Sequence, residues 1–214
     1  MSLIKRRRSV SQGAKLYLAA TAGLMLASAG CGSAVRPVYD ADSRLASRLD
    51  TDADRDGVVE SRTYMVAGRL ARHELDVTGD GRVDRWEYYR PDGTLARLGT
   101  SSAFDGIEDT WVVQTGATTE VEISTRRDGV IDRRETQVDG VLRRSEQDIN
   151  FDGQPDQWAT YEDGRVRELR IDSGLVAGRP DRRLLYGPDG ALRGIEEDPD
   201  GDGTFAPLDA PTRQ

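Results

Sequence analysis

The sequence predicts an all-β protein, an up-and-down antiparallel meander of tandem β-hairpins forming one thin, twisted sheet, open or curled. Three observations lead there. A short aspartate-glycine motif recurs about every 24 residues along the chain. A second glycine falls midway between recurrences, so a turn signal comes about every 12 residues. Large apolar residues are too sparse for a thick two-layer core: beyond residue 30, Leu, Ile, Val and Phe together make 37 residues, near the border with chains that do not fold.

The motif is Asp-Gly-x-x-Asp. It starts at Asp56, Asp80, Asp105, Asp128 and Asp152, with weaker copies at Ala177 and Asp202. Successive starts are 24, 25, 23, 24, 25 and 25 residues apart. A repeat of this period has to be read before any fold is assigned. The midway glycines are Gly68, Gly93, Gly116, Gly140, Gly164 and Gly190. Between turns lie six to nine residues enriched in Val, Ile, Thr, Tyr and Trp. Asp-Gly between such runs signals a hairpin, because the central residues of its turn take φ > 0. Each repeat therefore reads as one hairpin, giving about a dozen strands. Many strand positions carry Arg or Glu, which rules out burial on both faces and suits cross-strand ion pairs. Trp86, Trp111 and Trp158 each lie six residues after a motif start and are expected to line up across the sheet.

Composition narrows function. The chain has 38 acidic and 30 basic residues, one His and one Cys. Beyond residue 30 the balance is 25 Arg against 38 acids, and no Lys remains. Nucleic-acid binding wants a basic face, so no nucleic-acid partner is expected. One Cys makes no internal disulfide, and His73 alone offers no zinc cluster. No Ser, Cys or His sits with a partner base, so no catalytic residues and no enzymatic activity are expected.

The N-terminus runs basic (Lys5 to Arg8), then weakly apolar (Leu16 to Ala29), then small. That is the order of an export signal, too short to span a bilayer comfortably. Its end, Leu26-Ala27-Ser28-Ala29-Gly30-Cys31, resembles a bacterial lipoprotein box, although Ser28 stands where that family usually has Leu. The resemblance implies lipid on Cys31. Cleavage after Ala29 at an Ala-x-Ala site is the alternative. Arg7-Arg8 faintly resembles a twin-arginine motif. Gly32 and Ser33 lack the acid that retains lipoproteins at the inner membrane, so the resemblance implies the outer membrane, with the lipid anchor as the membrane partner. The expected organisation is a signal peptide over 1–30, a lipidated Cys and tether over 31–48, the hairpin domain over 49–206 and a tail over 207–214.

Four inter-hairpin loops extend the motif upstream into acids at alternate positions: Asp52-Ala53-Asp54-Arg55-Asp56-Gly57, Asp76-Val77-Thr78-Gly79-Asp80-Gly81, Asp148-Ile149-Asn150-Phe151-Asp152-Gly153 and Asp198-Pro199-Asp200-Gly201-Asp202-Gly203. Oxygens at alternate positions of a tight turn converge on one hard cation, and glycine at the sixth permits the bend. These loops resemble the calcium loops of EF-hands and their shorter dockerin and thrombospondin type 3 relatives. The resemblance implies Ca2+ ligands at Asp52, Asp54, Asp56, the Val58 carbonyl and Glu60. In the second loop it implies Asp76, Thr78, Asp80, the Arg82 carbonyl, Asp84 and, at position twelve, Glu87. In the third it implies Asp148, Asn150, Asp152, the Gln154 carbonyl and Asp156, and in the fourth Asp198, Asp200 and Asp202. An EF-hand-like domain over 41–87, with a helix from Ser61 to Leu75, is the alternative local fold. The loops at Asp105, Asp128 and Ala177 lack these acids and are expected to hold no metal. Against all of this stands the plainer property of Asp and Gly as turn formers.

The strings from Gly81 to Leu95 and from Gly153 to Val166 resemble MORN-type hairpin repeats, which implies fold more than activity. The expected function is thus a non-catalytic, calcium-binding repeat scaffold on the cell envelope. The alternative is a recognition module that binds envelope polysaccharide or protein through Trp86, Trp111 and Trp158.

Overall fold

The computed structural model describes residues 34–174 and 178–208. The expected signal segment and Cys31 lie outside the described residues. The strands are β1 (Ala34–Tyr39), β2 (Ala46–Asp52), β3 (Ser61–Val66), β4 (Arg69–Leu75), β5 (Arg85–Tyr89), β6 (Leu95–Thr100), β7 (Thr110–Thr115) and β8 (Thr118–Ile123). They continue as β9 (Arg133–Val138), β10 (Val141–Gln147), β11 (Gln157–Glu162), β12 (Arg165–Ile171), β13 (Arg182–Tyr186), β14 (Leu192–Glu197) and β15 (Ala206–Pro207). All fifteen form one sheet in chain order. Every neighbour pair is antiparallel, and β1 and β15 are open edges, so the meander is present and does not close into a barrel.

The hairpin turns explain the sequence signal. Asp139-Gly140 and Asp163-Gly164 each put both central residues at positive φ (51° and 73°; 49° and 75°). Ala67-Gly68 does the same at 50° and 75°. This is the mirror-image turn whose twist matches that of the strands it joins. A register shift follows the turn in every hairpin except β7–β8, which adds local twist.

Register threads one row of residues through all fifteen strands: Arg36, Asp50, Arg62, Glu74, Trp86, Gly99, Trp111, Glu122, Arg134, Glu146, Trp158, Arg170, Arg183, Glu196 and Pro207. Directly opposed residues share a face, so the three tryptophans do lie on one line. Around them acids and arginines pair, as in Arg72–Glu74 (2.8 Å) and Arg97–Glu122 (3.3 Å). The guanidinium of Arg97 also lies 4.8 Å from the Trp111 ring centroid. Gly99 is the gap in the row, and the Glu108 side chain fills it: a Cβ at Gly99 would lie 1.8 Å from Glu108 Oε1.

The interior is small and mostly polar. Among the described residues the buried apolar side chains are Trp86, Leu98, Trp111, Val112 and Ala159. Buried polar ones are more numerous, and all but Glu74 and Asp52, the last residue of β2, lie in the loops that follow the hairpins.

Three sequence expectations are corrected. From Ala34 onward the expected tether is a hairpin: β1 pairs with β2 from Ala34–Asp52 to Tyr39–Ala46. Its turn uses Asp40 in place of Asp-Gly, the Asp40 carboxylate accepting the Ser43 amide at 2.8 Å, so the glycine signal missed it. The helix considered over Ser61 to Leu75 is the β3–β4 hairpin, folded back at Ala67-Gly68. Pro207, placed in the tail, belongs to β15.

Gly164 at φ 75° has open space where a Cβ would stand. Gly164→Val therefore meets only the backbone cost of a left-handed residue, about 1–2 kcal/mol. Urea denaturation is expected to show that loss, with hairpin β11–β12 weakened.

Candidate metal centre

Six loops join successive hairpins and a seventh leads to β15, all along one end of the strands, and the hairpin turns lie along the other. The loops share a hydrogen-bond frame built from their own acids. The first position accepts the amide of the glycine at the sixth: Asp52 from Gly57 (3.2 Å), Asp76 from Gly81 (2.6 Å), Asp148 from Gly153 (2.8 Å) and Asp198 from Gly203 (2.8 Å). The fifth accepts from the seventh: Asp56 from Val58 (2.7 Å), Asp80 from Arg82 (2.9 Å), Asp152 from Gln154 (2.9 Å) and Asp202 from Thr204 (2.7 Å). The ninth accepts from the second: Glu60 from Ala53 (2.5 Å), Asp84 from Val77 (2.9 Å), Asp132 from Thr125 (3.0 Å) and Asp156 from Ile149 (2.6 Å). Acids at one, five and nine are thus loop formers before they are anything else.

The third position separates the loops. In two of them an acid there joins its neighbours. Asp52, Asp54, Asp56 and Glu60 each offer a carboxylate oxygen, and these oxygens lie within 4.8 Å of one another. Asp198, Asp200 and Asp202 do the same. Asp52 is 3% exposed and Asp198 2%. Each has one buried carboxylate oxygen, Oδ1, with no hydrogen-bond partner. A buried carboxylate oxygen without a partner is costly. Arg36 reaches the other oxygen of Asp52 only at 3.8 Å.

The loop that matched furthest in sequence does not assemble. Asp76 accepts amides from Gly79, Asp80 and Gly81. Asp84 turns to the amides of Val77 and Thr78 and to the Thr78 hydroxyl. Asp84 Oδ1 lacks a partner too, but no set of three acids converges there. Glu87, expected at position twelve, stands in β5 opposite His73. Its carboxylate is 3.6 Å from His73 Nδ1, 2.7 Å from Arg85 and 2.5 Å from the Tyr89 hydroxyl. The His73 contact, with help from Tyr89 and Arg85, holds its pKa down to about 2. In the Asp148 loop, Asp156 accepts from Ile149 and Asn150, and the Asn150 amide donates to Asp152 and Asp156. Apart from Asp84 Oδ1, both loops turn their buried acids to their own amides. Glu60, one methylene longer than Asp84 and Asp156 at that place in these two loops, brings its carboxylate into the Asp52 cluster.

The degenerate loops show a third solution. Arg127, in the β8–β9 loop, reaches back to the β6–β7 loop, donating to Asp109 at 2.8 Å and to Asp105. Its guanidinium lies between two loop acids. Asp105 is held down to about 2, chiefly by that hydrogen bond. Asp109 is 1% exposed. Burial pushes its pKa up, but the Ser102 hydroxyl and Arg127 more than offset this and leave it lowered. Sequence reasoning missed Arg127, because an arginine in a turn carries no pattern of its own.

The tryptophan row is largely covered. Trp86 and Trp111 are each 9% exposed, and Trp158 is half-buried. Between the first two, Tyr88 donates its hydroxyl to Glu108 at 2.9 Å. Burial and that bond push the Tyr88 pKa up to about 12.

No family model matches the chain, and no curated protein matches it. Two solved structures show a weak likeness. One is a point mutant of S. aureus TarM in complex with Fondaparinux, alpha-GlcNAc-glycerol and UDP, at 12% identity and TM-score 0.31, over 47% of this chain and 17% of that one. The other is TarM at 11% identity and TM-score 0.30, over 51% and 19%. The chain spans less than a fifth of either structure's length. A likeness this slight carries no argument about function.

A depressed carboxylate stabilises the fold above its unfolded pKa, and that contribution is lost as pH falls through the folded value. For Asp105 the window runs from about 3.8 down to about 2. Carbon-detected carboxyl titration is expected to find Asp105 near 2 in the wild type. In Arg127→Gln it is expected to return towards the ordinary range, with acid unfolding starting at higher pH.

Proposed function

We propose that this chain is a non-catalytic, lipid-anchored protein of the cell envelope, a hairpin-repeat scaffold whose first and last loops hold calcium. The observation that carries the calcium reading is the Asp52 cluster. Four carboxylates converge there, one of them buried with an oxygen lacking a partner. The same combination of acid cluster and orphaned oxygen recurs at Asp198, Asp200 and Asp202.

The donor set fits the ion. Every side-chain donor is oxygen, which selects a hard cation. Calcium, when bound, supplies two positive charges and accepts six to eight oxygens in flexible geometry. In the first loop Asp52, Asp54, Asp56 and Glu60 would hold it, with the Val58 carbonyl at the expected seventh position. In the last loop Asp198, Asp200 and Asp202 would do so. These are the loops β2–β3 and β14–β15, at the two ends of the array. End units of a repeat array have a neighbour on one side only and need caps. Neutralising the acids there converts binding energy into folding energy where the sheet has least support.

The envelope placement rests on the sequence of residues 1–31, with the lipid on Cys31 and the outer membrane as destination. The absence of a nucleophile–base set in the sequence supports the non-catalytic reading.

Melting curves in calcium and in chelator test the metal. At calcium a hundredfold above its Kd, a gain of about 5–10 °C is expected. Asp54→Asn and Asp200→Asn are each expected to reduce it, both together to abolish it, and Asp80→Asn to leave it intact. Equal midpoints in calcium and chelator would remove calcium from the account. Mass spectrometry of the mature N-terminus is expected to find lipid on Cys31, and a free thiol there would remove the anchor.

A further inference from the structure

The sheet face opposite the tryptophan row carries a second continuous row, which includes Leu98, Val112, Val121, Glu135, Ser145, Ala159, Leu169 and Leu184. Ser145 and Ala159 are direct cross-strand partners on β10 and β11. Two small side chains side by side, with larger ones around them, leave a hollow of about 520 Å³. That lies within the size range of small-ligand sites. Tyr161 and Tyr186 line it, and Gln147 and Gln157, also cross-strand partners, line it as well. The Tyr161 hydroxyl lies 3.1 Å from the Ser145 hydroxyl.

The chemistry of the lining selects the ligand. Of the two cations at the hollow, one is charge-paired and the other is held by a backbone carbonyl. Arg133 donates to Glu135 at 2.9 Å, and Arg165 donates to the Pro188 carbonyl at 2.6 Å. Arg133 is thus neutralised, and Arg165 is left as a single cation at the hollow, so an anionic ligand is the alternative that the alginate control below tests. What remains is uncharged: two carboxamides, three hydroxyls and two aromatic rings. A carboxamide both donates and accepts hydrogen bonds, as a hydroxyl does, so a polyhydroxylated ligand can satisfy it in either sense. A tyrosine offers an apolar body with a polar tip, which suits a ring with an apolar face and a hydroxylated rim.

We propose that this hollow is a subsite for a neutral sugar unit of a glycan, with Tyr161 and Tyr186 as the apolar walls, Gln147 and Gln157 as the hydroxyl readers, and Ser145 and Ala159 as the floor. It is independent of the calcium loops and lies on the face opposite the tryptophans.

The test is native gel electrophoresis of the folded chain through gels containing dextran, β-1,3-glucan or galactomannan, with alginate as the anionic control. Retardation is expected in at least one neutral gel and none in alginate. Ala159→Phe, which fills the hollow, is expected to abolish it. Gln157→Ala and Tyr186→Ala, each at the rim, are expected to weaken it tenfold or more while keeping the wild-type circular-dichroism spectrum and melting midpoint. These two keep the test decisive if Ala159→Phe does not fold. No retardation in any neutral gel, retardation in alginate alone, or wild-type retardation of the folded variants would each overturn the proposal. Running the gels in chelator separates this outcome from that of the calcium reading.

Discussion

A buried loop aspartate accepting backbone amides is the interaction on which this protein depends. A single-layer sheet has no second layer to bury an apolar face against, and its described residues include only five buried apolar side chains. The loop carboxylates take over part of that work. Asp76, Asp84, Asp132, Asp148 and Asp198 are buried, and each ties the chain between one strand and the next. Backbone bonds continue the line along the same edge, as from the Asp132 amide to the Ile123 carbonyl and from the Asp148 amide to the Asp132 carbonyl. Hydrogen bonds to ionised groups are stronger than neutral ones, so a row of them can organise an edge that apolar burial cannot.

The same row creates the problem that distinguishes the loops. Buried acids need a counterpart. Where Arg127 supplies a guanidinium, the β6–β7 loop is closed from within the chain. Where Asn150 or Thr78 replaces an acid at the third position, the third side chain donates hydrogen bonds to the neighbouring carboxylates, and no cluster of three acids forms there among the described residues. Asp54 and Asp200 do the opposite, adding a carboxylate to clusters that already hold a buried one. The three solutions differ by one or two residues within an otherwise constant frame.

The fold was legible in the sequence because glycine and aspartate at fixed spacing leave few alternatives. Asp139-Gly140 and Asp163-Gly164 make the turn their composition demands. The first hairpin was not legible, since Asp40 turns the chain without a glycine. The candidate site was only partly legible. Acids at alternate positions signal both a metal loop and a hydrogen-bonded turn, and the spacing alone does not say which way a carboxylate faces. The Asp76 loop illustrates this, with the fullest ligand pattern and its oxygens turned to its own amides. The hollow at Ser145 and Ala159 was invisible for another reason: it comes from cross-strand partnership between residues fourteen apart.

The central claim is that loop carboxylates, more than apolar packing, hold the sheet together. Urea unfolding of Asp132→Ala beside Val112→Ala tests it most directly, since each residue is 3% exposed and lies away from the candidate metal loops. The account predicts a loss of about 1.5–3 kcal/mol for Asp132→Ala, the range for a hydrogen bond to a charged group, and a smaller loss for Val112→Ala. An Asp132→Ala protein within about 0.5 kcal/mol of wild type, the scatter of ordinary surface substitutions, would contradict it.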